Sequence, residues 1–219
     1  MAVGALEQAG PHLPLGTTTH IAGAVVDEVA RQTGILRAPT FPYGVTLKGS
    51  STFSGTAGLR RKTFHRAMNE LLADWEDHGV QEFILVTAHP SVPHLEALLM
   101  SLTADAVTTV FDLPTIDIRD LVDGEPGLEH GGEAETSLLL HLLPEAVSME
   151  SARDLSPTQS ATRRYRRGLH PTPPSDGPGV VGFPSRASAA KGKAIFRRYV
   201  DALVDLLLVS RGSSPAEDG

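Results

Sequence analysis

The stretch Glu7-Gln8-Ala9-Gly10-Pro11-His12-Leu13-Pro14-Leu15-Gly16-Thr17-Thr18-Thr19-His20 sets a carboxylate, imidazoles and hydroxyls between a short apolar run and a helix pattern. A carboxylate at a strand end, followed by a tight turn and a helix N-terminus, is where α/β proteins place ligand sites. Prolines and glycines fix the backbone between the two elements. A second imidazole position, His89, follows the apolar run Phe83–Val86, which also has strand length. The chain has nine histidines and no cysteine. Disulfides, thiolate metal sites and a Cys nucleophile are therefore excluded. There is no P-loop and no Gly-x-Ser-x-Gly elbow. Gly49-Ser50-Ser51 has no strand before it and is weak as a phosphate cradle.

The elements that must position these groups alternate between strand and helix. Ala2–Leu6 reads as a short strand. Thr17–Thr33 reads as a helix, with a Thr at the N-cap, an apolar stripe of Ile21, Val25, Val26 and Val29, and Gly34 at the C-cap position. Ile35–Ala38 is expected to be a short strand, and Phe41–Thr56 a site-lining loop rich in Gly, Ser and Thr. Gly58–His78 is a helix that buries Leu59, Phe64, Met68, Leu71, Leu72 and Trp75. Phe83–Val86 is a central parallel strand, Pro93–Leu102 a helix and Val107–Phe111 a strand. Residues 112–129 are acidic and irregular, and Thr136–Leu143 is helical. Residues 145–184 form an irregular, partly mobile excursion rich in Pro and Arg, with a basic cluster of Arg163, Arg164, Arg166 and Arg167. Ala187–Val209 is the last helix. The pattern is that of one α/β domain over residues 1–210, a three-layer α/β/α sandwich with a mostly parallel central sheet, and a disordered tail over 211–219. A net charge of -7 argues against nucleic-acid binding, no run is long enough to span a membrane, and the expected location is cytoplasmic.

Five motifs together resemble the creatininase (creatinine amidohydrolase) family. They are Glu7-Gln8-Ala9-Gly10-Pro11-His12-Leu13-Pro14-Leu15, Phe53-Ser54-Gly55-Thr56, Val86-Thr87-Ala88-His89, His130-Gly131-Gly132-Glu133-Ala134-Glu135-Thr136-Ser137, and Gly179-Val180-Val181-Gly182-Phe183-Pro184. The resemblance implies a creatininase-like fold, closed homo-oligomers (often hexamers), a small-molecule substrate and a two-metal site. Such a site lowers the pKa of a bridging water and polarises an amide carbonyl. By position, Glu7 and His89 match ligands of one metal and Glu135 a ligand of the other. His130 matches a histidine that contacts substrate and moves a proton. Ser54, Thr56, Ser91 and His20 are the candidate substrate contacts.

The sequence departs from the family at decisive positions. Ala9 stands where the family has a histidine ligand, and Thr18 where it has the carboxylate that bridges both metals. Pro90 and Ser91 follow His89 where catalytic relatives carry Glu or another polar arrangement. Three readings follow. The first is a divergent enzyme on a small nitrogen-containing molecule, working on an amide or lactam C–N bond by hydrolysis, or by the related condensation, cyclisation or isomerisation, without the two-metal centre. In it Glu7 or Glu135 is the base and His130 the acid, with His89 beside them. The second is an inactive pseudoenzyme that serves as a binding or scaffold subunit. The third is an amidohydrolase with one Zn²⁺ or Mn²⁺ on Glu7, His89 and Glu135. His20 is read as a partly buried, hydrogen-bonded imidazole, with a place in a rebuilt metal site as the competing reading.

Overall fold

A computed structural model describes residues 1–46, 50–100, 105–165 and 173–212. The sheet is centred on β1 (Glu82–Thr87), which runs parallel to β2 (Val107–Asp112) in a register from Glu82 opposite Val107 to Thr87 opposite Asp112. On the other side of β1 the chain start joins through parallel bridges, Ala2 to Val86 and Val3 to Phe41. Val3 N–H donates to Val86 O at 2.8 Å, and Phe41 N–H to Ala2 O at 2.9 Å. The expected first strand is thus reduced to two bridges, and it delivers Glu7 just beyond its end.

Alternation along β1 builds two cores. Ile84 and Val86 face a layer of α1 (Thr17–Thr33), α4 (Glu133–Leu142) and α6 (Ala189–Gly212), where Ile21, Val25, Leu139, Ile195 and Leu203 are buried. Phe83 and Leu85 face α2 (Arg61–Asp77) and α3 (Val92–Leu99), against Phe64, Met68, Leu72 and Leu98. Helices on both faces of a parallel sheet make the three-layer α/β/α arrangement that the alternation implied.

Several local expectations need correction. The N-cap of α1 is Gly16 in the left-handed region (φ 72°), not a threonine. Thr17 Oγ1 instead turns back to donate to Pro14 O at 2.9 Å. Ile35–Ala38 is not a strand. Pro39 offers no N–H, the Arg37 guanidinium donates to Ala38 O at 3.0 Å, and the pairing position is Phe41. Leu71 points outward rather than into the core. Helix α6 continues to Gly212. Within residues 145–184, the described segments 145–165 and 173–184 carry more regular structure than their composition suggests. They hold α5 (Gln159–Tyr165), and Val181 and Gly182 bridge back to His130 and Leu155. Arg163 is exposed. The Arg164 side chain, Arg166, Arg167 and the tail after Gly212 lie outside the described residues.

Helices α4 and α6 meet at Gly192, where a Cβ would sit 1.8 Å from Ser137 O. Next to Gly192 in the chain, Lys191 holds a buried acid. Glu133 is fully buried and accepts the N–H groups of Asp123 and Gly124, each at 3.0 Å. The Lys191 ammonium donates to Glu133 and, at 2.8 Å, to Asp123 Oδ2. Truncating one partner of a buried ion pair leaves the other charge uncompensated. Lys191→Met is therefore expected to lower stability by about 3 kcal/mol, read as a drop in the urea midpoint at constant m-value. Glu133→Gln in the same background is expected to recover part of the loss.

Candidate functional site

Glu7, only 4% exposed, leaves the first bridge segment and is fixed by its own peptide, because Gly16 N–H donates to Glu7 O at 3.0 Å. Gln8 braces the turn. Its N–H donates to Thr56 Oγ1 at 3.1 Å, its side-chain amide donates to Gly179 O at 3.0 Å, and its Oε1 accepts Gly10 N–H at 2.8 Å.

His89 arrives from the end of β1. Its Nε2 lies 3.0 Å from Val45 O and 3.4 Å from Glu7 Oε2. The contact with a carbonyl requires Nε2 to carry a proton. Burial pulls the imidazole down to about 4, so the ring is neutral near pH 7. His94 stands behind it, with ring centroids 5.0 Å apart. Its Nδ1 accepts Val45 N–H at 3.2 Å, which leaves its Nε2–H to donate to Thr87 Oγ1 at 3.2 Å. His130 is anchored by backbone pairing with Val181, and its Nε2 donates to Gln8 O at 2.9 Å. Burial lowers its pKa as well.

Glu135 lies in the first turn of α4. Its Oε2 accepts Gly131 N–H at 2.5 Å, and burial pushes its carboxyl up to about 6. Gly131 has φ 62°, and a Cβ there would meet Ala9 O at 2.2 Å, so only glycine lets the two motif loops approach.

Glu7, His89, His130 and Glu135 converge on one cavity of about 10 Å³, which Ala9, Thr18 and Pro90 also line. This is close to the smallest space that holds a single water. Pro90 and Glu135 also line a second cavity of about 80 Å³. Its walls are apolar side chains, among them Ile21, Leu113, Ile116 and Leu138, with Glu129 beside Glu135. The arrangement places proton-transfer groups on one side of Glu135 and an apolar chamber on the other.

The substrate-contact candidates fall elsewhere. His20 is exposed rather than half-buried, and Ser54 is exposed. Thr56 is occupied in anchoring Gln8 N–H. Ser91 is fully buried at the N-cap of α3 and lines neither cavity. Among the described residues, no three His, Asp or Glu side chains come together in an arrangement able to hold a metal ion.

The sequence reading missed Glu129. This residue is 7% exposed, and its Oε2 accepts Glu133 N–H at 2.6 Å. Burial pushes its carboxyl from an ordinary 4.5 up to about 7. Its position directly before His130 was the one available signal. The folded chain holds this proton more tightly than the unfolded chain. The resulting stability is complete below pH 4.5 and is lost as pH rises to about 7, a change on the order of 3 kcal/mol. Glu135 and Asp112, both raised to about 6, act in the same direction. The buried histidines His12, His89, His94 and His130, held neutral in the fold, act in the opposite direction, so the Glu129 contribution is read as a difference: relative to the unmodified protein, Glu129→Gln is expected to gain stability as pH rises from 5 to 8. Parallel slopes in urea denaturation across that range would refute the assignment.

A parallel α/β sheet here gathers carboxylates and imidazoles at its strand ends, where α/β folds place their ligand sites. A family model described as creatinine amidohydrolase matches residues 1–207, and the chain belongs to this family, the creatininases. Among similar proteins, the mycofactocin precursor peptide peptidase of Mycobacterium ulcerans (strain Agy99) is 32% identical over 92% of this chain and 81% of its own length. The creatinine amidohydrolase of Pseudomonas putida is 26% identical over 94% of this chain and 87% of its own. A crystal structure of creatinine amidohydrolase superposes with a TM-score of 0.78 at 28% identity, over 94% of this chain and 86% of that one. Two further solved relatives, a zinc–zinc form of a creatininase mutant and a manganese creatininase, have TM-scores of 0.76 and 0.73. Each is 26% identical over 94% of this chain and 87% of its own. No helix among the described residues is long and apolar enough to cross a membrane.

Proposed function

We propose that the protein hydrolyses the C–N bond of a small amide or lactam with Glu7, His89, His130 and Glu135, and without the family's pair of cations. The observation that carries this reading is the convergence of one buried carboxylate, one half-buried carboxylate and two neutral imidazoles on one cavity, with an apolar chamber adjoining at Glu135. Glu135 is the base, because it alone of these four lines both spaces. His89 and His130 keep Nε2–H on backbone carbonyls and act as fixed polar walls. The chamber receives a compact, mostly apolar substituent.

The donor set does not fit two divalent cations. Such a pair, roughly 3.5–4 Å apart, needs a shared anionic oxygen between its members. Thr18 offers a hydroxyl and Ala9 a methyl. A second reading, one Zn²⁺ or Mn²⁺ on Glu7, His89 and Glu135, draws on the 3.4 Å approach of His89 to Glu7 and on the metal forms of the relatives, and it requires the three side chains to move together, since they do not form a ligand set as they stand. That cation would supply Lewis-acid polarisation of the carbonyl, and His89 would have to release Val45 O to bind it. Assembly into a closed homo-oligomer completes the proposal, with light scattering as its measure.

The test is incubation with creatinine, 2-pyrrolidinone, hydantoin and short peptides, with and without chelator, and mass spectrometry of the products. Gain of one water by a substrate in chelator supports the first reading. Turnover lost to chelator and restored by one equivalent of zinc supports the second. No turnover of any substrate under either condition points to a binding subunit and overturns both.

A further inference from the structure

Three successive threonines open α1, and they differ in what they bond. Thr17 Oγ1 donates to Pro14 O at 2.9 Å, and Thr19 Oγ1 donates to Ala5 O at 3.2 Å. Thr18 is only 8% exposed, its Oγ1 has no hydrogen-bond partner in the protein, and it lines the small cavity with Glu7 and Glu135. A buried hydroxyl without a partner is uncommon, and its usual explanation is an ordered water. The cavity has room for one, and carboxylates in its wall provide the further acceptors that such a water needs.

We propose that Thr18 is a positioning residue that holds the hydrolytic water beside Glu135, an inference that rests on the amide hydrolysis proposed above. Two further observations support it. Thr18 is the second residue of a 17-residue helix with no acidic residue in its first turn. Thr17 and Thr18 both line the cavity, so the positive end of α1 borders it and favours the hydroxide that develops from the water. In addition, Glu135 borders both cavities, so one carboxylate reaches the water in the smaller and an amide set at the junction with the larger. In the step, the water oxygen bonds to the amide carbonyl carbon while Glu135 takes one of its protons. The tetrahedral intermediate then collapses. The C–N bond breaks, its electron pair goes to nitrogen, and nitrogen takes the proton from Glu135. One water is consumed, a carboxylic acid and an amine leave, and Glu135 is again a carboxylate.

Thr18→Val keeps the shape and removes the hydroxyl, whereas Thr18→Ser keeps the hydroxyl. On whichever amide or lactam of the panel is hydrolysed, Thr18→Val is expected to lower kcat by about 10²-fold with KM nearly unchanged. Thr18→Ser is expected to stay within about 3-fold of the unmodified protein, because it keeps the bond that orients the water. A merely structural role would instead shift the melting temperature and leave the two variants alike. Unchanged kcat in Thr18→Val, or equal losses in both variants, would overturn the proposal. A crystal structure provides the independent arm. An ordered water bonded to Thr18 Oγ1 and to a cavity carboxylate is expected, and it should be absent from Thr18→Val. If that water is present but no panel substrate is hydrolysed, the amidase reading and the water's hydrolytic role fall together while the water site stands. If turnover is robust and the water is absent, the Thr18 proposal alone falls.

Discussion

Glu135→Gln is expected to lower kcat for amide hydrolysis by about 10²–10⁴-fold, the range for removal of a positioned general base. The substitution is nearly isosteric. The glutamine carbonyl can still accept Gly131 N–H, the bond that Glu135 Oε2 makes at 2.5 Å. The loop that carries Gly131 against Ala9 should therefore keep its shape, and the melting temperature should change little. What is lost is the ability to take a proton from water and pass it to the leaving nitrogen. The base needs its carboxylate form, and burial raises the Glu135 carboxyl to about 6. The acid limb of kcat/KM should therefore fall below about pH 6. A Glu135→Gln variant that turns over at the unmodified rate would remove this carboxylate from the mechanism.

The second large effect concerns metal. Ala9→His with Thr18→Asp should raise bound zinc from below one equivalent per chain towards two. Two divalent cations a few ångströms apart repel strongly in a low-dielectric cavity. Glu7 and Glu135 alone would leave much of that charge uncompensated, and an aspartate at position 18 supplies the missing bridge. Thr18→Asp alone is the informative intermediate, because Ala9 is only 3% exposed and a larger side chain there must displace its packing. Metal content by elemental analysis, with circular dichroism as the folding control, reads the result. No gain in either variant would show that positions 9 and 18 are not where the cations of the relatives bind.

How far the sequence was legible depended on whether a feature is local. Helix α1 could be bounded correctly because Ile21, Val25, Val26 and Val29 repeat at helical spacing and Gly34 takes the left-handed C-cap. Its N-cap could not, because Thr17 uses its hydroxyl on Pro14 O rather than on the helix. Ile35–Ala38 has the composition of a strand, but the pairing partner of Val3 is Phe41. The four groups of the cavity were legible through motifs that carry the family pattern. Glu129 was not, because what raises its pKa is burial between Gly124, Gly132 and Gly182, the last of them 53 positions along the chain. No window of sequence around Glu129 contains that information. The exposure of His20 was equally illegible, since a histidine on the first turn of a helix is compatible with either face.

One preparation measured in two ways tests hydrolysis without the pair of cations most directly. Protein purified without chelator is analysed for zinc and manganese, and the same sample is assayed on the amide and lactam panel. Hydrolysis of at least one substrate is expected from protein that carries fewer than two equivalents of metal, with activity surviving removal of that metal. Two equivalents of zinc or manganese per chain, with activity rising and falling in proportion to them, would contradict it.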